Sequence, residues 1–480
     1  MVERFFHIKE RGSTVRREVL GGVVTFMTMS YIIFVNPAIL SAAGLDFGGA
    51  LVATCIAAAT GTLLLGLLAN YPIAQAPGMG LNAYFAYTVV LMMGVPWRTA
   101  LGAVFISGLL FIILTLCRVR SLIVDALPPS VRKAIAAGIG LFIAFIGLEK
   151  AGFVALNQAT FVTLGDVTHP AALLAVFGLL VTVVMLVLRW RGALLWGMLL
   201  TAVAAVVFGH VKYTGIISAP ESIAPVFVGP LRHLVEVGPL PTPNLFLEMD
   251  VAAAFRLGIL NVIFVFLFID MFDTLGTFLG VAQHGKFLDA KGNMPRINRA
   301  LISDGVATSV GAAFGTSTTT SYIESAAGIA AGARTGLANV VTAVLFLVAP
   351  LFLPLAKMIG GGVMVTQAMP VEGILGGEAV GGLLEMTRFL QPITAPALII
   401  VGSFMLTGLR DIKWSEPVES IPAFLTLIAI PLTFSIANGI TLGFISYPIV
   451  MIFARRWREV SPLAYILAVL FVVRLIFLAA

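Results

Sequence analysis

Apolar runs long enough to cross a bilayer recur along the whole chain, among them Val19 to Ala42, Leu101 to Cys117, Ala171 to Leu188, Ala338 to Pro354 and Pro392 to Leu406. Lipid offers no hydrogen-bond partner to a backbone, so a run of this kind must supply its own partners as a helix, unless it closes into a barrel. A chain with many such runs folds as an all-α polytopic bundle. Its charge content agrees: 11% of residues are Asp, Glu, Lys or Arg, against about 25% in a soluble domain.

Turn and charge breaks divide the runs into two sets of seven. The first lies near 19–43, 50–69, 78–93, 98–117, 133–149, 171–188 and 193–209. The second lies near 257–282, 299–315, 321–333, 336–357, 388–408, 420–437 and 439–454. With the N-terminus in the cytoplasm, most basic residues fall in cytoplasmic segments, including Arg16, Arg17, Arg189, Arg191, Arg455, Arg456 and Arg458; Arg98, Lys150, Lys212, Arg232, Arg256, Lys357 and Arg388 fall outside. That bias supports the orientation and the count, and Trp97, Trp190, Trp196, Trp414 and Trp457 all lie at proposed span ends.

An odd number of spans in the first set makes the second enter from the opposite side, the arrangement of an inverted repeat. The expected organisation is a cytoplasmic N-terminus (1–18), a first repeat (19–209), an extracytoplasmic connector (210–256), a second repeat (257–454) and a C-terminal interfacial helix (455–480). The charged N-terminus leads straight into a full-length run without a cleavage site, so the first span is expected to stay. The net charge of +6 suits basic cytoplasmic loops and requires no nucleic acid. Cys55 and Cys117 form neither a disulfide framework nor a metal pattern and read as small packing residues. No cofactor is expected.

Three acids stand out inside the spans: Asp270 and Asp273 in Phe268-Ile-Asp-Met-Phe-Asp-Thr-Leu-Gly-Thr277, and Glu324 in Gly315-Thr-Ser-Thr-Thr-Thr-Ser-Tyr-Ile-Glu-Ser-Ala-Ala-Gly328. A charged side chain at membrane depth costs at least about 2.5 kcal/mol, so a functional role is the default reading, with a structural anchor between helices as the alternative. Asp270 and Asp273 are three residues apart and share one helix face. Glu324 has a plausible half-chain counterpart in Asn82, within Gln75-Ala-Pro-Gly-Met-Gly-Leu-Asn-Ala83. Both stretches disfavour regular helix just before the polar residue, the pattern that transporters use to open a site at the midplane.

No Lys or Arg lies in these stretches. Carboxylates accept, an amide side chain both donates and accepts, and freed backbone amides donate. The site should therefore prefer a neutral planar molecule with several N–H groups, or a cation. Phe264, Phe266, Phe268, Phe272, Tyr84 and Phe85 offer aromatic walls, although such residues more often face lipid or core.

The three quoted motifs resemble the signatures of the AzgA-like adenine, guanine and hypoxanthine permeases of the nucleobase-ascorbate transporter superfamily, over about 16–458. The resemblance implies fourteen spans in two inverted repeats, with a core domain from spans 1 to 4 and 8 to 11 and a gate domain from spans 5 to 7 and 12 to 14. Short antiparallel strands in spans 3 and 10 would meet at the midplane. It implies proton-coupled uptake of a purine nucleobase by an elevator-like mechanism, in a bacterial cytoplasmic membrane. By position, Asp270 and Glu324 would bond the purine's N–H edges, Asn82 would orient the site, and Asp273 would bind or couple. Backbone near Gly80, Leu81 and Ile323, with Ser325, would contact the base, and Asp270, Asp273 and Glu324 are the proton-coupling candidates. Homodimers through gate domains are common among members and are the expectation here.

Two other classes are weighed. The same fold can carry an anion, against which the acids and the absent basic partner argue. An intramembrane enzyme is disfavoured, because His7, His169, His210, His233 and His284 have no metal-ligand spacing and the aspartates have no nucleophilic companion.

Overall fold

Helix follows helix through the computed structural model, which describes residues 2–117, 129–157, 160–219, 235–237, 242, 244–256, 260–289, 294–375 and 378–477. Helix α1 (Val2–Phe5) precedes a broken pair, α2 (Val15–Met29) and α3 (Ile32–Ala42). Next come α4 (Phe47–Leu68), strand β1 (Gln75–Pro77), α5 (Met79–Ala83) continuing as a π-helix (Tyr84–Met92), and α6 (Trp97–Leu116). The first half ends with α7 (Pro129–Lys150), strands β2 (Val154–Asn157) and β3 (Phe161–Leu164), α8 (Pro170–Val187) and α9 (Ala193–Val207). The connector holds β4 (Ile217–Ala219), β5 (Val235–Val237) and α10 (Val251–Arg256).

The second half runs through α11 (Leu260–Gly285), α12 (Ile297–Phe314), β6 (Thr319–Ser321), α13 (Ser325–Ala330), α14 (Leu337–Val348) and α15 (Leu353–Gly360). A hairpin of β7 (Val363–Leu375) and β8 (Glu378–Leu390) leads to α16 (Ala395–Met405), α17 (Pro417–Leu432), α18 (Ile436–Phe453) and α19 (Pro462–Phe477). Among the described residues eight helices are long and apolar enough to cross a membrane, and four shorter apolar helices join them.

The runs read as spans coincide closely with these helices, and the differences are informative. The first run is two helices. Thr28 and Ser30 return their hydroxyls to carbonyls of the preceding turn, at 2.9 Å for Thr25 and 3.2 Å for Met27, which loosens the ladder where α2 gives way to α3. Helix covers only Ser325–Ala330 of the run read as 321–333, and it starts at Ala395 rather than 388 in the twelfth. The β7–β8 hairpin was not anticipated. Cys55 is buried as expected, but Cys117 is exposed at the end of α6. Helix α19 lies against the bundle, with the Phe471 ring 5.8 Å from Phe264 and 5.2 Å from Phe444.

Helices without a hydrophobic drive between them associate where small residues let backbones approach, and glycines mark the crossings. A Cβ on Gly66 of α4 would lie 2.8 Å from the Gly336 carbonyl oxygen before α14. One on Gly108 of α6 would lie 3.0 Å from the Gly305 oxygen of α12, and one on Gly140 of α7 2.6 Å from the Gly402 oxygen of α16. Neighbouring helices fall into two groups: α2 packs on α13 and α14, α4 on α12 and α14, and α6 on α11 and α12, whereas α7 packs on α16 and α17, α8 on α9, and α17 on α18.

The N-terminal segment is bound to one end of the first group. Arg11 donates to the carbonyls of Asn70 (2.7 Å) and Arg334 (3.2 Å), and Ser13 donates to that of Gly332 (3.1 Å). Burial, followed by the nearby Arg296 charge, pulls the Arg11 guanidinium below its ordinary pKa. Glu18, fully buried, accepts from the backbone N–H groups of Arg334 (2.9 Å) and Thr335 (3.2 Å). Hydrogen bonds to a charged group contribute about 1.5–3 kcal/mol each. Glu18→Gln, which swaps one acceptor oxygen for a donor facing an N–H, should lower stability by about that amount. Thermal unfolding in detergent reads it, and an unmoved midpoint would show that the clamp contributes nothing.

Candidate functional site

The site is built where two helices fail to continue. Pro77 has no N–H to give a helix and Gly78 leaves the chain extended (φ −75°, ψ 121°), so β1 forms before α5 can start. In the second half, the run of hydroxyl residues competes with the helical ladder in the same way and gives β6. The strands pair antiparallel, Gln75 facing Ser321, Ala76 facing Thr320 and Pro77 facing Thr319. Two further backbone bonds extend the pair, Gly78 N–H to Thr318 (2.9 Å) and Tyr322 N–H to Ala74 (3.0 Å).

Hydroxyls seal the edges symmetrically. Thr62 donates to the Gln75 carbonyl and accepts from the Gln75 N–H, both at 2.9 Å; Thr308 does the same for Thr319, both at 3.1 Å. The local two-fold carries residue 75 onto 319 and 77 onto 321, an offset of 244. By that register Glu324 corresponds to Gly80, and Asn82 to Ala326. The expected pairing of Asn82 with Glu324 is thus shifted by two residues.

Glu324 stands at the start of α13, partly buried, and its Oε1 accepts from the Tyr31 hydroxyl at 2.7 Å. The break between α2 and α3 therefore puts Tyr31 onto the acid. Asp273 is also partly buried; it accepts from Thr320 of β6 and lies near enough to Glu324 for their charges to interact. Tyr322 fills the space beside them and donates to the Pro77 carbonyl at 2.6 Å. Asn82 is fully buried, its Oδ1 accepts from the Ser317 hydroxyl, and its Nδ2 donor has no protein partner.

The other predicted residues divide between this face and its supports. Ile323 is 56% exposed beside Glu324, and Leu81 is buried. Gly80 lies against Ile139 of α7, which occupies the place a Cβ would take. Ser325 is buried and accepts from the Ala74 N–H at 2.9 Å, so its hydroxyl is already engaged in the strand crossing. Asp270 is 1% exposed and its Oδ2 lies 3.3 Å from the Thr308 hydroxyl of α12.

The aromatic walls separate. Phe266 packs on Tyr84 (5.2 Å) and Phe85 (6.5 Å), on the acid side of α11. Phe264, Phe268 and Phe272 repeat at helical spacing on its other side, where Phe268 meets Phe444 of α18 at 5.3 Å. Two residues of the site were missed from residue types alone, Tyr31 and Tyr322, and so was Asp304, which lies beneath the strands and away from the acid face. Asp304 is a further acid within the spans, fully buried on α12, where Gln75 Nε2 donates to it at 2.7 Å and Thr274 at 2.9 Å. Its signal was present, an acid inside a run already read as a span.

Helices that break against one another inside a multi-pass bundle, around acids with no basic residue in the same stretches, define a membrane transporter. Among solved structures, the transmembrane domain of a cyanobacterium bicarbonate transporter, BicA, shares the fold with a TM-score of 0.61 at 16% identity, over 88% of this chain and 97% of that one. The chain belongs to the Permease family, whose model matches residues 16–416. It is 42% identical to guanine/hypoxanthine permease PbuG of Bacillus subtilis, covering 99% of this chain and all of that one, and 38% identical to adenine permease AdeP of Escherichia coli, covering 100% and 97%.

Proposed function

We propose that the protein imports purine nucleobases, hypoxanthine, guanine or adenine, by proton symport. The observation that carries this reading is the set of groups at the strand crossing: partly exposed Glu324 and Asp273 as acceptors, and the unpaired Asn82 amide as donor. A purine presents N–H donors and ring-nitrogen acceptors along its edges, and this set answers both. In this reading Glu324 and Asp273 hold the N–H edges, Asn82 bonds an acceptor, and the backbone of Gly80, Leu81 and Ile323 closes round the base. The names of the two relatives support the substrate class.

The protein crosses a bacterial cytoplasmic membrane fourteen times, with a cytoplasmic N-terminus. The two groups of neighbouring helices support a core domain that carries the site and a gate domain against which it slides, with Gly80 on Ile139 as one point of contact. The gate domains join two copies as a homodimer.

Reconstituted vesicles with an imposed proton gradient should take up labelled hypoxanthine, guanine or adenine in preference to uracil. Collapse of the gradient should stop accumulation. Saturable sulfate or bicarbonate uptake without purine uptake would replace this reading with anion transport.

A further inference from the structure

Helices α11 and α12 meet through a crossed arrangement that the substrate site does not use. Asp270 and Thr274 lie four residues apart on one helix, and Asp304 and Thr308 four apart on the other, so each pair shares a face. Thr308 shares its one hydroxyl proton between the Thr319 carbonyl at 3.1 Å and Asp270 Oδ2 at 3.3 Å, and Thr274 donates to Asp304 Oδ2 at 2.9 Å. Each acid is thus bonded by the hydroxyl opposite, which brings the carboxyls within hydrogen-bonding reach of each other.

Donor bookkeeping leaves two buried oxygens of this cluster without a donor, Gln75 Oε1 and Asp270 Oδ1. Gln75 Nε2 supplies Asp304 Oδ1 at 2.7 Å, but Asp270 Oδ1, buried, has no donor. A buried acceptor left unmade costs about 1–3 kcal/mol, more when charged. Every side chain named around the pair has its proton committed elsewhere, and the other titratable group facing it is Asp273, one turn along α11.

We propose that Asp270 and Asp304 hold one proton between them, and that Gln75 ties this pair to the strand under the substrate site. The bridging proton is the donor that Asp270 Oδ1 lacks. Gln75 is the first residue of β1 and also bonds Ser321 of β6 at 3.2 Å, so its amide reads the state of the pair and passes it to both strands. Gain or loss of that proton changes what Asp304 accepts, and with it the strand crossing that carries Asn82 and Glu324. Asp304 is a positioning residue here, since it acts through Gln75 and touches no substrate. The coupling role rests on the transport reading above; the shared proton does not.

Infrared difference spectra of the full-length purified protein at neutral pH should show the carbonyl stretch of a protonated carboxylic acid, shifted in heavy water and lost in both Asp270→Asn and Asp304→Asn. A wild-type spectrum without that band overturns the proposal, whether or not either variant folds. In vesicles, folded Asp304→Asn should bind hypoxanthine within about threefold of wild type, because it lies off the base. It should lose gradient-driven accumulation by about tenfold or more, the scale of a coupling energy, with the pH dependence of binding flattened and partly restored in Asp304→Glu. Wild-type accumulation by Asp304→Asn also overturns it. A wild type that shows the band but moves no purine removes the transport reading and leaves the pair standing.

Discussion

Glu324→Gln should bind hypoxanthine about 10- to 100-fold more weakly than the wild type and should carry little or none of it across a membrane, since a hydrogen bond to a charged acceptor contributes about 1.5–3 kcal/mol. The substitution keeps the size of the side chain and leaves an oxygen for Tyr31, which now donates at 2.7 Å, so the local backbone has no reason to move. What changes is the second oxygen, which becomes an NH2 group and presents a donor where the base would present one too. Tyr31→Phe provides the comparison. It removes an orienting hydroxyl without touching the acid's acceptor capacity, and should weaken binding by about 0.5–1.5 kcal/mol, roughly three- to tenfold. Equilibrium binding by titration calorimetry on the purified variants orders the two. Unchanged affinity in Glu324→Gln would remove the acid from the site, and a larger effect in Tyr31→Phe than in Glu324→Gln would place the ligand on the tyrosine.

Gly336→Val should prevent stable folding. At the crossing of α4 and α14 any Cβ on Gly336 runs into the backbone of Gly66, and backbone cannot swing aside as a side chain can. Overpacking of this kind typically costs about 1–3 kcal/mol and more where nothing can give, and here two helices of the group that carries the site would have to part. Gly276→Ala is the control, because nothing lies within 4 Å of its added methyl group, and alanine is the better helix former by about 1 kcal/mol. Yield of monodisperse protein and the thermal midpoint in detergent separate the two. A well-folded Gly336→Val would show that α4 and α14 do not need this approach.

Much of this architecture is legible in the residues because lipid imposes a simple rule. A helix that must satisfy its own backbone needs a long apolar run, and such runs are visible without knowing their neighbours. The strand crossing was legible for a related reason: Pro77 with Gly78, and the hydroxyl run from Thr316 to Ser321, advertise that the ladder breaks. What depends on who packs against whom was not. Asp304 sits among the small residues Ser303, Gly305 and Ala307, and only the close fit of α12 against α4 and α6 shows that its whole surroundings are buried. The separation of Phe266 from Phe264 and Phe268 is set by helix phase, which a stretch rich in phenylalanine conceals. Asn82 and Glu324 were matched by distance along the chain, whereas strand register, with its period of two, decides the correspondence.

The pairing of β1 with β6 also bears on how such a chain could have arisen and how it can be taken apart. Each half of the molecule contributes one strand to this pair, its edge completed by the other half, and both strands are fully buried, so water does not stand in for the missing partner. Neither half could be content alone. An ancestral half-length chain of this design would have needed a second copy inserted upside down beside it, and a modern chain cut within residues 220–234 should yield two fragments that find each other again, because each carries the unfinished edge the other requires.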